Sequence, residues 1–175
     1  MKLKKPEGEK TILLEENQTL DLFLEDLEPG SRAFQLKVEL RGANASCTIS
    51  GRIHTSKADQ KSWTIVQKFL GKNQTGAIEI RGVAEDKSQL ELNATGILDK
   101  KSEAADAQIS EKVLLFDEAR AKALPVLTVK TDRVKAASHA ASVAPVKAEN
   151  LLFLTSRGIA PTEARKMLKD GFLAE

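Results

Sequence analysis

The chain has 175 residues, with 27 Lys and Arg against 25 Asp and Glu, for a formal net charge of +2. That length suits one domain with a sizeable core, and the near-balance of charge offers no field to draw nucleic acid or an anionic membrane. Aromatic residues make up only 4% and Tyr is absent, which removes the stacking platforms of a single-strand binder.

At the N-terminus, Met1-Lys2-Leu3-Lys4-Lys5-Pro6 is basic but no apolar run follows it, so no signal peptide is expected. No apolar stretch nears the roughly 20 residues that span a bilayer. The single Cys47 excludes an internal disulfide and fits a reducing, cytoplasmic setting.

From Thr11 to Val134 the dominant period is two. Leu20, Leu22 and Leu24 alternate with Asp21, Phe23 and Glu25, and Phe34, Leu36, Val38 and Leu40 alternate with Gln35, Lys37 and Glu39. One face of each such strand belongs to a core and the other to water. Ala43-Ala45-Cys47-Ile49, Trp63-Ile65, Ile78-Ile80 and Leu90-Leu92-Ala94 repeat the pattern. Pro29-Gly30, Gly42, Gly51, Gly71-Lys72-Asn73, Gly82, Asp86 and Gly96 read as the turns between them. Asn17, Asn44, Asn73 and Asn93 each begin an Asn-x-Ser/Thr triplet; without a signal peptide they read as turn residues rather than glycan acceptors.

Strands spaced by about 8–12 residues fit a sandwich, a barrel or a β-solenoid. Leu36–Gly42 and Ala77–Gly82 are loosely similar, which hints at stacked coils, although no fixed period runs through the chain. The polar, Ala-rich Lys101–Lys112 reads as a loop or partial helix, and Val113-Leu114-Leu115-Phe116 as the start of a buried strand. Pro125 precedes a further strand, Val126–Val129.

After Pro145 the period changes. Leu151-Leu152-Phe153-Leu154 reads as an apolar helix that Gly158 caps in a left-handed conformation. Pro161 opens a second helix, which carries Glu163 in its first turn and which Gly171 is expected to end.

Enzyme motifs are absent: there is no Gly-x-Ser-x-Gly, no phosphate loop, no Gly-x-Gly-x-x-Gly and no His-Glu-x-x-His. Ser138 and His139 are neighbours, and adjacent strand positions point to opposite faces, so no catalytic residue is assigned. Metal chemistry has only Cys47, His54 and His139 as soft or borderline donors, too few for a closed tetrahedral site. Cys47, flanked at alternate positions by Ala45 and Ile49, reads first as a small buried hydrophobe. His54, beside Thr55, Ser56 and Lys57, reads as an exposed loop residue. His139 interrupts a run of Ala and Ser, whose small side chains would leave an imidazole accessible at a strand edge or interface; the bland alternative is a histidine bonded to backbone. His139 is therefore the metal-ligand candidate, with Cys47 behind it.

The segments Val113-Leu114-Leu115-Phe116-Asp117-Glu118-Ala119, Ala123-Leu124-Pro125-Val126-Leu127-Thr128-Val129, Phe153-Leu154-Thr155-Ser156-Arg157-Gly158-Ile159 and Glu163-Ala164-Arg165 through Leu168 and Gly171-Phe172 occur in that order. Together they resemble the C-terminal part of the SufB/SufD family of iron–sulfur cluster assembly subunits. The resemblance implies a right-handed parallel β-helix (residues 1–145) followed by a two-helix tail (residues 146–175). It implies a non-enzymatic scaffold or partner subunit that pairs through its β-helix with a SufB/SufD-like chain or a second copy. It further implies that residues 146–175 dock a SufC-like ATPase, and that a transient iron–sulfur cluster forms at the subunit interface, with no firmly bound cofactor. Two other readings stay open: a family-like dimerisation domain without a cluster role, and an unrelated β-solenoid binding module. The departures bear on the first of these. Ala137 stands where SufD-type sequences have Cys, Ala140 where SufB-type sequences have Glu, and Lys68 where the family has a histidine. The large N-terminal helical part of longer members has no counterpart here.

Overall fold

The alternating segments do form strands, but longer ones than the glycines suggest. The computed structural model describes residues 1–174. One sheet contains, in spatial order, β1 (Lys2–Lys4), β3 (Thr19–Asp26), β5 (Ser46–Thr55), β7 (Thr75–Ala84), β9 (Ala105–Leu115) and β12 (Val134–Pro145). The second contains β2 (Gly8–Leu14), β4 (Arg32–Leu40), β6 (Gln60–Phe69), β8 (Gln89–Leu98) and β10 (Arg120–Ala123), with β11 (Val126–Val129) also on β8. Every pairing is parallel. The chain therefore winds from one sheet to the other and back, a parallel β-solenoid of about five coils. Two helices follow, α1 (Ala148–Thr155) and α2 (Pro161–Ala174).

Period-two alternation puts Leu22, Leu24, Ile49, Ile53, Ile78 and Ile80 from the first sheet against Leu36, Val38, Trp63, Ile65 and Leu92 from the second, all buried. Gly51, Gly82 and Gly96 are not turns. They occupy inward positions inside β5, β7 and β8, where a Cβ would come within 2.8 Å of Trp63, 2.5 Å of Leu90 and 2.8 Å of Leu127. The large side chain opposite each one fills the space that a small one would leave empty.

The coils repeat, but with a drifting step. Thr19 pairs with Ser46, Ser46 with Thr75 and Thr75 with Asp106, offsets of 27, 29 and 31 residues. Leu36–Gly42 begins in the second sheet and Ala77–Gly82 lies in the first, so their similarity does not mark equivalent positions.

Two corners are built from left-handed residues. Asn17, Asn44 and Asn73 stack at φ of 60°, 57° and 53°, and Ala104 (52°) continues the column. Asn44 Nδ2 donates to Asn17 Oδ1 at 2.9 Å, and Asn73 Nδ2 to Asn44 Oδ1 at 3.4 Å. A short amide tolerates this backbone region better than other side chains. The fourth triplet differs: Asn93 lies in the middle of β8 and donates to Glu91 Oε1. In the opposite corner Asp86 Oδ2 accepts from the Lys57 amide (2.7 Å) and Asp117 Oδ2 from the Asp86 amide (3.0 Å).

Lys101–Lys112 is neither loop nor helix over most of its length. Its residues from Ala105 onward form most of β9, and Val113–Leu115 end that strand rather than begin one. Ala105, Ala107, Ile109 and Val113 point inward, with alanines too small to signal a strand by hydropathy. One inward charge, Lys61, is fully compensated. Lys61 Nζ, fully buried, donates to Asp26 Oδ1 (2.7 Å) and to the carbonyls of Glu28 (2.6 Å) and His54 (2.7 Å).

Gly158, at φ 84°, closes α1 as expected, with the Ile159 amide reaching back to the Leu154 carbonyl. Gly171 does not end α2, which runs on to Ala174; its Cα faces open space.

Candidate functional site

The first sheet is one strand longer than the second at the C-terminal end. β10 and β11 both pair with β8, as two halves of one strand broken at Leu124-Pro125. Beyond them β12 pairs only with β9, and all twelve of its residues are exposed. It is thus an edge strand with one row of backbone donors and acceptors free at the open end of the solenoid, and its inner face is turned toward the β10–β11 row. Register places Val134, Ala137, His139, Ala141 and Val143 opposite the inward Ala105, Ala107, Ile109, Glu111 and Val113. Ala140 and Ser142 point to the outer face.

His139 is therefore accessible, as its small neighbours imply, and also bonded to backbone: its Nδ1 lies 3.2 Å from the Pro125 carbonyl oxygen. Beside it, sequence reasoning missed Glu111. This carboxyl is 1% exposed and points into the last coil. Burial pushes it up to about 7, against hydrogen bonds from the Ala94 and Leu124 backbone, and Oε2 has no partner. The signal was there: a glutamate at an inward position in Ala105-Ala107-Ile109-Glu111-Val113.

Cys47 is not brought to this site. It faces inward on β5, and the register Cys47–Gly76–Ala107–Ala137 puts it three strands from β12, about 14 Å at ordinary strand spacing. Burial pushes its thiol up to about 11, with a Gln67 hydrogen bond opposing, so a thiolate is disfavoured there. Lys68 lies on the outer face of β6, in the other sheet. Among the described residues no three His, Cys, Asp or Glu gather as metal ligands.

His54 is not in a loop. It is the penultimate residue of β5, half-buried, and its Nε2 lies 2.6 Å from Glu85 Oε1. Glu85 also accepts from Lys169 Nζ (2.9 and 3.0 Å) and from Arg165 (3.2 and 3.3 Å) on α2. Arg165 pairs with Asp117 too and stacks 4.6 Å from the Phe116 ring centre. Burial pushes the Glu85 carboxyl up, but hydrogen bonds from Lys169 and His54 outweigh it and hold the group below its ordinary value. So α2 is clamped to the solenoid side by ions, with only Ala164 buried. α1 has no buried residue, and Leu152 and Phe153 are 68% and 56% exposed.

A shallow groove of about 580 Å³ along the starts of β4, β6, β8 and β10 is lined by Arg32, Lys61, Glu91 and Lys122. Four of its charges are paired, Lys61 and Arg32 with Asp26 and Lys122 with Glu91, and Arg120 lines it as well. No helix among the described residues is long and apolar enough to cross a membrane.

Over residues 8–172, from β2 into α2, the chain matches the family described as SUF system FeS cluster assembly, SufBD core domain. The chain belongs to the SufBD core-domain family. It is similar to the iron–sulfur cluster assembly protein SufD of Bacillus subtilis, 38% identical over 106 residues, which cover 60% of this chain and 24% of that protein. SufB of the same organism is 29% identical over 146 residues, 82% of this chain and 28% of the relative. A SufBD family protein of Staphylococcus epidermidis is 31% identical over 144 residues, 82% and 26%. The chain thus spans about a quarter of the length of these SufBD relatives.

Proposed function

We propose that this SufBD-family chain works without catalysis in the cytoplasm, as a scaffold or partner subunit of iron–sulfur cluster assembly. The observation that carries the reading is β12: an exposed edge strand at an open solenoid end, with His139 on its inner face. A free row of backbone groups on small residues is suited to pairing with another strand. The partner is a SufB/SufD-like chain or a second copy. A transient cluster at that junction takes the His139 imidazole as one ligand, and the partner supplies the rest, since Ala137 and Ala140 offer none. Cys47, buried three strands away, stays outside the ligand set.

The second contact is the helical tail. Leu152 and Phe153 expose more apolar surface than a solenoid cap requires, and residues 146–175 are the segment proposed to dock a SufC-like ATPase. Co-expression with such an ATPase and affinity capture tests this. Phe153→Asp or truncation after Pro145 should abolish capture while the sheet signal in circular dichroism persists. Capture that survives both changes contradicts the docking assignment.

One observation favours a narrower reading, a dimerisation domain without a cluster role. Lys68, Ala137 and Ala140 all stand where relatives were expected to carry ligands. Iron and sulfide analysis of the paired complex after anaerobic reconstitution separates the two.

A further inference from the structure

Both ends of the solenoid leave sheet edges unpaired, and the two ends are built differently. At the C-terminal end β12 offers a long exposed edge whose one Lys, Arg, Asp or Glu is Lys135. At the N-terminal end the outermost strands are β1, paired only with β3, and β2, paired only with β4. β1 is three residues long, and its Lys2 and Lys4 lie 3.0 and 4.0 Å from the Glu25 carboxylate. Pro6, between β1 and β2, has no N–H to give. Short strands, lysine and proline are common means of blunting a sheet edge.

β2 carries the decisive residue. It lies on β4 in the register Gly8–Phe34, Lys10–Leu36, Ile12–Val38 and Leu14–Leu40, and all four β4 partners are buried in the core. Lys10 therefore stands on the inner face. The following coils continue its column with Leu36, Ile65 and Ala94, and the first coil puts a cation there. Lys10 is partly exposed, and among the described residues its ammonium has no hydrogen-bond or ion-pair partner. While the end is open, the stem can lie along apolar surface with the charge in water. A further strand laid on β2 would close that route and bury an unpaired ammonium. That costs more than the added backbone hydrogen bonds contribute net. The backbone alone would accept such a strand. The Leu14 carbonyl accepts from the Arg41 amide beside β4, so alternation turns the N–H and C=O groups of Glu9, Thr11 and Leu13 to the free side.

We propose that Lys10 shuts the N-terminal end of the solenoid to strand addition, so that a second copy of the chain can join only at β12. The consequence for assembly rests on the reading of β12 as the pairing edge. With one competent edge per chain the assembly closes at a pair, and it does not run on head to tail as a fibre.

The test compares the full chain with Lys10→Leu, by sedimentation velocity and by amide exchange along Gly8–Leu14, from dilute to concentrated solution. Wild type should sediment as no more than a pair, with exchange at Glu9, Thr11 and Leu13 independent of concentration. Lys10→Leu should add larger species as concentration rises, and in the same range those three amides should exchange on the order of tenfold more slowly. Lys10→Arg, which keeps the charge, should behave as wild type. Lys10→Thr is read in place of the leucine variant if that one precipitates. A neutral variant with wild-type mass and unchanged exchange at every concentration overturns the proposal, as does a wild-type chain whose β2 amides become protected on concentration. The readout lies at β2, at the other end of the molecule from β12. Failure of pairing at β12 would alter the mass of wild type and variant alike and leave the difference between them to decide the role of Lys10.

Discussion

Glu85 and Lys169 are 84 residues apart in sequence, and their charged groups meet at 2.9 Å. Glu85 sits just past the end of β7 and collects the His54 ring and two cations from α2, Arg165 and Lys169. The side chain is only 11% exposed, so its removal leaves those cations close together with little water to screen them. Glu85→Ala should destabilise docking of α2 by about 2 kcal/mol, the scale of charge-assisted hydrogen bonds. Amide exchange along Pro161–Ala174 should rise while the inner strands β5 to β8 stay protected. Equal protection of α2 in the variant would show that the clamp is ornamental.

Acid should release the same helix. Hydrogen bonding by Arg165 holds the Asp117 carboxyl down at about 2, from an ordinary 3.8, and Glu85 is also held below its ordinary 4.5. The folded state therefore binds these protons less readily than the unfolded chain. The resulting stability is complete above about pH 4.5 and is lost as the pH falls toward 2. Methyl resonances of Met167 on α2, followed from pH 5 downward, should move toward unstructured positions in that window. Glu111 has the opposite sign: its folded value of about 7 lies above 4.5, so its contribution is full below pH 4.5 and fades as pH rises through 7. Glu111→Gln should flatten that part of the stability profile.

Gly76 tests the interior packing. It faces inward on β7, and a Cβ there would fall 2.5 Å from Gln67 Oε1 and collide with the Phe69 ring. Both neighbours are buried, and Gln67 Nε2 is engaged with the Cys47 carbonyl. Gly76→Ala should cost about 1–3 kcal/mol by overpacking, read from the urea midpoint. Phe69→Leu in the same chain should recover part of the loss; no recovery would place the strain elsewhere.

The asparagine column offers a backbone test. Asn44 holds φ at 57° and bonds to Asn17 below and Asn73 above. Asn44→Ala should cost about 1–2 kcal/mol, from the left-handed backbone penalty and the lost amide ladder. Asn44→Gly relieves the backbone component only, so thermal melts should rank wild type, glycine, alanine.

Much of this architecture was legible in the alternation itself. Leu20–Glu25 and Phe34–Leu40 read as half-buried strands and are strands. What sequence could not supply was their length, because Gly51, Gly82 and Gly96 look like turns until the large residue opposite each is known. The coil repeat was hidden by its drift from 27 to 31 residues. β9 was missed because Ala105, Ala107 and Glu111 take three of its inward positions, which weakens the hydropathic contrast. At the site, accessibility of His139 followed from its Ala and Ser neighbours. The pairing of His54 did not, because its partner Glu85 is 31 residues away and only the coil stacking brings it near.

The central claim is that this SufBD-family chain contributes His139 to a cluster built at the exposed edge of β12. Iron and acid-labile sulfide, measured per complex after anaerobic reconstitution with a SufB-like partner, test it most directly. His139→Ala should lower both several-fold while the complex still elutes as one assembly, and the chain without its partner should load little of either. A complex that loads iron and sulfide equally with and without the imidazole would contradict the account.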